Sequence, residues 1–420
     1  MKVAVITVGC RTNQAESLAL QCRLTAEGHE VVQLSDSPDL CIVNTCSVTS
    51  KADADSRRLI MRAINTGVRT VATGCYADLH HVDMEKAHPR DGLQIVRNSE
   101  KGEIIKMLGL SHSSASTERR AGFRTRHIIK VQEGCNQACS YCIVPRVRGH
   151  SRSVALEEVM AEVMECEEMG SREIVLSGTH LGMYGIDLTP PVNLVFLLTR
   201  LLKQCTIPRI RLSSLEPKEV DEELLDLLSD TRICKHLHVP LQSGDDNILK
   251  SMNRPYNVGE FRRISEAILE KFPEMALGTD VIAGFPGEGD GEFSHTLSLL
   301  EELPLMYLHA FSYSARPGTH AALLDGQVTV ADKTSRLSLL RELSARKRSS
   351  YIQRYQGRIV DVVVEKAGRY GFAGTSNNYI KVLLGPGRDL SVGMLVDVEI
   401  TGEAGGAAFG TPATRAKLTQ

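Results

Sequence analysis

The sequence predicts an α/β protein in three parts. These are an open parallel α/β sheet over residues 1–118, a partial (β/α)6 barrel over 119–355 and a small β-barrel over 356–420. Three observations predict it. Short apolar runs alternate with helix-periodic stretches from the first residues onward, the pattern of a parallel sheet covered by helices. The alternation stops at 111–126, SHSSASTERRAGFRTR, Ser-rich and then Arg-rich without periodicity, and resumes for six further βα units. From Gly357 the runs become short and β-like with Gly-rich connections, as in small barrels that often grip nucleic acid.

In the first part, KVAVITVG (2–9), EVVQLS (30–35), CIVNT (41–45) and TVATG (70–74) read as strands, and 13–28 and 50–67 as helices. In the second, the strands are expected at 127–134, 173–178, 209–215, 236–242, 277–285 and 307–314, with amphipathic helices between them. Six units make three-quarters of an eight-fold barrel, whose chemistry lies at the C-terminal ends of the strands. A Lys/Arg-rich helix then leads to RIVDVVVEK, YIKVLLG and MLVDVEITG, three expected strands of the third part.

Composition narrows the function classes. The 420 residues are 42% hydrophobic and 24% charged, the profile of a globular chain too long for one core. No apolar run approaches the roughly 20 residues that span a bilayer. MKVAVITVGC enters a strand directly, without a signal-peptide layout, so the expected location is cytoplasmic, with no membrane partner. The net charge of −2 leaves nucleic-acid contact to local patches. Eleven cysteines, an odd number, do not form a disulfide framework in a reducing compartment.

The sharpest local signal is Cys135-xxx-Cys139-xx-Cys142, directly after the first barrel strand. Three thiolates on one short loop hold three irons of a [4Fe–4S] cluster and leave the fourth open. Structural zinc recruits four ligands, and no second CxxC or HxxxH lies nearby. Tyr141 places an aromatic ring where an adenine packs. Cys10, Cys46 and Cys75 each lie just past a parallel strand, the edge where ligands bind in open α/β sheets. They are either ligands of a second cluster or buried core thiols; Gly9, Thr45 and Gly74, which precede them, leave room for a cluster. Cys22, Cys41, Cys166, Cys205 and Cys234 read as packing residues.

Around the barrel mouth, Ser177, Gly178, Thr179, Glu216, Gln242, Ser243 and the GFPGE stretch at 284–288 are candidates for holding a small-molecule cofactor, or else cap helices. His80-His81 and the pair His236/His238 read as a solvated loop and as strand alternation, not as metal sites. Basic residues cluster at Arg119, Arg120, Arg124 and Arg126, at Arg146, Arg148 and Arg152, and at Arg346, Lys347 and Arg348. Arg146 and Arg148 flank the mouth and are candidate substrate-binding residues for an anionic group.

The cysteine spacing and six-unit barrel resemble the radical S-adenosylmethionine (SAM) superfamily. TVGCRTNQAES, VNTCSVTSKADADSRR, ATGCYA, EGCNQACSYCIVPRVRGHSRS, HVPLQSGDDNILKSMNR, TDVIAGFPGE and FSYSARPGTHAA extend the resemblance to one family within it, the methylthiotransferases. GFAGTSNNYIKVLL resembles the TRAM domain that these enzymes use on tRNA. The resemblance implies an auxiliary cluster on Cys10, Cys46 and Cys75 and a SAM cluster on Cys135, Cys139 and Cys142. It also implies replacement of C–H by C–SCH3, with SAM as source of both the methyl group and a 5′-deoxyadenosyl radical. An electron donor of flavodoxin or ferredoxin type and a sulfur source are implied partners. SVTSKADADSRRLIMRA and FSYSARPGT look most like the branch that acts at carbon 2 of threonylcarbamoyladenosine at position 37 of tRNA. Sister branches act on isopentenyladenosine in tRNA and on an aspartate of a ribosomal protein. The non-enzyme alternative is an RNA-binding iron–sulfur protein, against which the open-iron loop at a barrel mouth counts.

Overall fold

The computed structural model describes residues 1–87, 92–110, 125–386 and 390–413. The Ser- and Arg-rich stretch, including Arg119, Arg120 and Arg124, lies outside the described residues but for its last two positions.

The first sheet contains β1 (Lys2–Thr7), β2 (Glu30–Val32), β3 (Leu40–Thr45), β4 (Arg69–Gly74) and β5 (Leu93–Val96), parallel throughout, in the order β2-β1-β3-β4-β5. Every residue of the central β3 is buried, as expected of an apolar run covered on both faces. β5 was not among the expected strands; four residues at a sheet edge, of which only Val96 is fully buried, carry too short a pattern to read. The helix Ser50–Asn65 starts at the N-cap Thr49, whose Oγ1 accepts from the Ala52 N–H at 3.1 Å.

The core strands are β6 (Arg126–Lys130), β7 (Gln132–Glu133), β8 (Arg152–Ser153), β9 (Glu173–Ser177), β10 (Arg209–Leu212), β11 (His236–His238), β12 (Ala276–Ala283) and β13 (Tyr307–Ser312). Two parallel sheets, β10-β9-β6 and β11-β12-β13, are joined by the parallel bridges Ile210↔Ile233 and Ser214↔His238. The result is the expected open run of six strands. All six stop short of their expected C-terminal ends, the first and the fourth by four residues each. The first leaves the sheet after Lys130, and Gln132–Glu133 pair instead with Arg152–Ser153 in a two-stranded ribbon. The fourth stops at His238, two residues before Pro240, which has no N–H for a ladder.

The C-terminal part closes as β14 (Ile359–Gly368), β15 (Gly371–Ser376), β16 (Lys381–Leu384), β17 (Leu395–Ala404) and β18 (Ala407–Pro412), in the cyclic order β14-β15-β16-β18-β17. Five strands stand where three were expected. GFAGTS and AAFGTP read as loops because Gly and Ala carry little β signal. Closure supplies their pairing.

This barrel docks on the N-terminal ends of the core strands through buried charge. Glu173, fully buried at the start of β9, accepts from Arg126 Nε at 2.7 Å and Arg211 Nε at 2.7 Å, and lies 2.6 Å from Arg209 Nη2. Arg211 continues to the carbonyls of Ser376 and Asn377, each at 2.9 Å, and Arg126 to Glu365 at 3.1 Å. Burial opposes charge on Glu173, but Arg211, Arg209 and Arg126 hold its carboxyl well below the usual range. Among the described residues, no helix is long and apolar enough to cross a membrane. Glu173→Ala, which leaves three arginines around an empty site, is expected to lower the unfolding free energy by about 3–5 kcal/mol. The urea midpoint measures this; an unchanged midpoint refutes it.

Candidate active site

The loop Cys135 to Cys142 lies between β7 and the short helix Val144–Arg148. Its shape is set by backbone bonds. The Cys135 N–H donates to Gly149 O at 3.1 Å and the Ser140 N–H to Met252 O at 3.0 Å. The Asn253 amide donates to Ala138 O at 2.8 Å. The buried Gln132 amide donates to Gly134 O at 2.8 Å and accepts the His180 N–H at 2.8 Å. Cys135 Sγ lies 3.4 Å from His180 Nδ1, and Cys139 Sγ accepts from Arg254 Nη1 at 3.0 Å. Burial pushes the Cys142 thiol up to about 12, and raises that of Cys139 against the pull of Arg254. Burial likewise opposes charge on His180, but its hydrogen bonds to Cys135 and Glu219 lift it to about 10.

The second set of thiols sits at the C-terminal edge of the first sheet, past β1, β3 and β4. Gly9 and Gly74 adopt φ of +97° and +94°, a region that side chains rarely enter. A Cβ at Gly9 would overlap the Cys46 side chain, and one at Gly74 the Thr45 backbone. Only glycine allows the three loops to converge. Ser56 Oγ donates to Cys46 O at 2.9 Å, and Asn13 Nδ2 to Val8 O and Thr45 O, each at 2.8 Å. Burial, then the nearby Cys10 and Cys75, pushes Cys46 up to about 12. Cys75 packs against Ile143 and Val147, just beyond Cys142. One member of the second set thus packs on the segment that follows the first.

Both donor sets fit iron–sulfur chemistry. Each offers three thiols. Raised thiol pKa values mean that metal entry displaces protons.

The other expected site residues are distributed unevenly. Glu216 binds the Arg254 guanidinium, which also donates through Nε to Tyr256 at 3.1 Å. Ser177 is buried at the end of β9, Gly178 packs on Gln132, and Thr179 Oγ1 is buried without a hydrogen-bond partner. Gln242, at φ +68°, donates its N–H to Asp280 O at 2.8 Å and accepts from the Ile282 N–H at 2.9 Å. Ser243 is buried 3.4 Å from Thr296 Oγ1. Tyr141 meets Phe285 of the GFPGE stretch edge-on at 6.4 Å, within an apolar cluster with Ile248 and Met252. Arg146 is exposed and donates to Pro317 O at 2.8 Å.

Arg148 is a correction. Its side chain is 2% exposed and ion-paired to Glu16 at 2.8 Å and Glu133 at 2.9 Å, with Asn13 also bonded, so it has no free donor face for a substrate. Burial drew it there because Glu16 needs compensation. The histidines differ too. His236 and His238 are buried, and His238 Nε2 lies 2.9 Å from Asp280, which is 3.4 Å from His309. Those three could hold a metal ion, a grouping across β11, β12 and β13 invisible to sequence alternation. Sequence reasoning also missed Arg254, His180, Glu219 and Glu16; apart from the Asn-Arg-Pro turn at Arg254, no local pattern marks them. Cys41, Cys166, Cys205 and Cys234 are buried, and Cys22 is half-buried.

A parallel six-strand barrel with a CxxxCxxC loop at its mouth defines a radical SAM enzyme. Residues 129–300 match the model of the Radical SAM superfamily, and residues 2–95 that of Uncharacterized protein family UPF0004. Among solved structures, the radical SAM methyltransferase TsrM from Kitasatospora setae matches with a TM-score of 0.57 at 14% identity, over 76% of this chain and 77% of that one. The fold is shared.

Closer kinship comes from sequence. The Threonylcarbamoyladenosine tRNA methylthiotransferase MtaB of Aquifex aeolicus is 37% identical, over 91% of this chain and 96% of its own length. The protein of the same name from Bacillus subtilis is 34% identical over 95% and 93%. A tRNA-2-methylthio-N(6)-dimethylallyladenosine synthase from Fusobacterium nucleatum is 30% identical over 95% and 97%. This chain belongs to the radical SAM methylthiotransferase family and is of the MtaB type. It therefore uses SAM and a [4Fe–4S] cluster.

Glu16 yields a pH test. Burial alone would raise its carboxyl, but Lys101, Arg148 and Lys130 hold it well below its ordinary 4.5. Its contribution to stability is complete above that value and is lost as pH falls from there toward the folded-state value. Glu16→Gln is expected to lower the unfolding temperature at neutral pH and to flatten the acid limb below roughly pH 4.5. An unchanged limb would exclude Glu16 as its source.

Proposed function

We propose that this enzyme methylthiolates carbon 2 of threonylcarbamoyladenosine at position 37 of tRNA, with a second [4Fe–4S] cluster on Cys10, Cys46 and Cys75. The observation that supports the two-cluster reading is the packing of Cys75 on Ile143 and Val147, just past Cys142. The names of the MtaB relatives support the substrate. Cys135, Cys139 and Cys142 would hold the cluster at which one equivalent of SAM supplies radical chemistry, and a second equivalent would supply the methyl group.

The chain's own residues do the rest. Arg254 donates to Cys139 and Glu216 together, fixing a charged rim at the mouth. Ser177, Gly178, Thr179, Gln242 and Ser243 line the strand ends where SAM would lie, with Tyr141 beside its adenine. Ile143, Val147 and Leu79, around Cys75, keep water from the seam between the triads, which protects a radical. The substrate base is turned out of the anticodon-loop stack to reach this seam. An electron donor of flavodoxin or ferredoxin type and a sulfur source complete the reaction.

Anaerobically reconstituted protein is expected to carry about eight irons, two four-iron clusters. Replacing Cys10, Cys46 and Cys75 with alanine should remove about half of that iron and abolish methylthiolation while leaving reductive SAM cleavage. Full iron retention refutes the second cluster.

The C-terminal barrel presents Tyr370, 81% exposed, with the Arg369 guanidinium 5.4 Å from its ring, a pairing suited to stacked bases and phosphates. Arg369→Ala is expected to weaken tRNA binding and reduce its salt slope by about one. In a substrate panel, turnover should be confined to tRNA bearing threonylcarbamoyladenosine. Equal turnover of the isopentenyl form assigns the sister branch, and turnover of a ribosomal protein alone refutes a nucleic-acid substrate.

A further inference from the structure

A cavity of about 430 Å³ opens at the gap between the first and last core strands, where the barrel is incomplete. Its walls include Arg126 from β6, Tyr307 and His309 from β13, Arg348 from the helix Val330–Gln353, and Tyr379 and Lys381 from the C-terminal barrel. Three parts of its construction point to a ligand. The first is uncompensated charge. In the run 346–348, Arg346 pairs with Glu301 at 3.1 Å and Lys347 donates to the carbonyls of Glu301 and Leu303. Arg348 instead turns inward, 5.5 Å over the Tyr307 ring, and its buried Nε has no hydrogen-bond partner. Among the described residues, neither Arg348 nor Lys381 is paired with a carboxylate, whereas Arg126 is occupied by Glu173 and Glu365.

The second is a preorganised floor. Tyr379 holds φ of +66°, strained for an aromatic residue. Arg11 Nη2 donates to its hydroxyl at 2.8 Å, and His236 stacks on its ring at 4.0 Å. Such strain persists where surrounding structure imposes it, and it concentrates at ligand sites. The third is an aimed side wall. Asp280 bridges His238 and His309, fixing His309 at the cavity while His309 remains 45% exposed.

We propose, on the basis of the threonylcarbamoyladenosine reading, that this cavity receives the anionic arm of the substrate purine. Its carboxylate meets Arg348 and Lys381, and the arm lies against Tyr307 and His309. His309 stands three residues before Ser312 at the strand end, about 10 Å below the mouth at the ordinary strand rise. Carbon 6, which carries the arm, lies across N1 from carbon 2, so a base with carbon 2 toward the cysteine loops turns the arm away from them, toward this depth. A phosphodiester offers the same anionic chemistry, but the recess lies inside a strand gap, which suits a side arm better than a continuing backbone. Arg146 is left outside this role, exposed and bound to Pro317 O.

The test uses reconstituted holoenzyme and three anticodon stem-loop RNAs that differ only at position 37: threonylcarbamoyladenosine, its methyl ester and plain adenosine. Dissociation constants are measured for the wild type, Arg348→Gln and Lys381→Gln, with cluster absorbance as the folding control. The wild type should bind the acid form about tenfold tighter than the ester or adenosine, the scale of a charge-assisted hydrogen bond. Each variant should lose that preference and hold the other two RNAs within about twofold. If Arg348→Gln loses its absorbance, Lys381→Gln decides alone. A uniform loss across all three RNAs identifies a phosphate contact and overturns the proposal, as does a preference kept in the folded variants. A wild type with no preference also overturns the proposal, while turnover in the substrate panel tests the substrate reading separately.

Discussion

The pairing of Arg148 with Glu16 is the contact on which the two-triad geometry depends. Arg148 ends the helix that follows Cys142, and Glu16 lies in the helix that follows Cys10. Their 2.8 Å ion pair ties the helix after Cys142 to the helix after Cys10. Lys101 and Lys130 also approach Glu16, and Glu133 shares Arg148, so neither charge is buried alone. Removing one partner of such a network strands the others in low dielectric. The alignment of the triads therefore rests on electrostatics as much as on apolar packing.

A second charged centre works the same way at the other end of the core. Glu173 gathers Arg126, Arg209 and Arg211, and two of those arginines reach the carbonyls of the C-terminal barrel. The lumen above is also polar, with His236, His238, Tyr307 and Asp280 in one hydrogen-bonded chain. Complete barrels of this kind fill their interior with branched apolar side chains. A six-strand barrel leaves a gap, and a gap lined with titratable and aromatic groups is room for a polar ligand. The C-terminal barrel thus does more than extend a surface: Tyr379 enters the lumen and touches Arg11, the neighbour of Cys10.

Much of the fold was legible because strand and helix periods repeat along the chain. The strands that escaped notice, β5, β8, β15 and β18, are short or rich in Gly and Ala, and their pairing comes from neighbours outside the local pattern. The cysteine loop Cys135 to Cys142 was legible because its donors are local. Cys10, Cys46 and Cys75 were legible only as positions past strand ends, since their convergence needs the parallel order of β1, β3 and β4.

By itself, the sequence determined the three-part α/β architecture and the family, because these rest on local periodicity, spacing and motif. Only the tertiary structure decided which charged residues are free. Arg146, Arg148 and Arg348 look alike in sequence, yet one is exposed against Pro317, one is buried on Glu16 and one turns into a cavity over Tyr307. A charge is compensated or left available by its partners in space, and those partners lie far along the chain: Arg146 meets Pro317 across 171 residues and Arg148 meets Glu16 across 132. No local pattern encodes such a pairing.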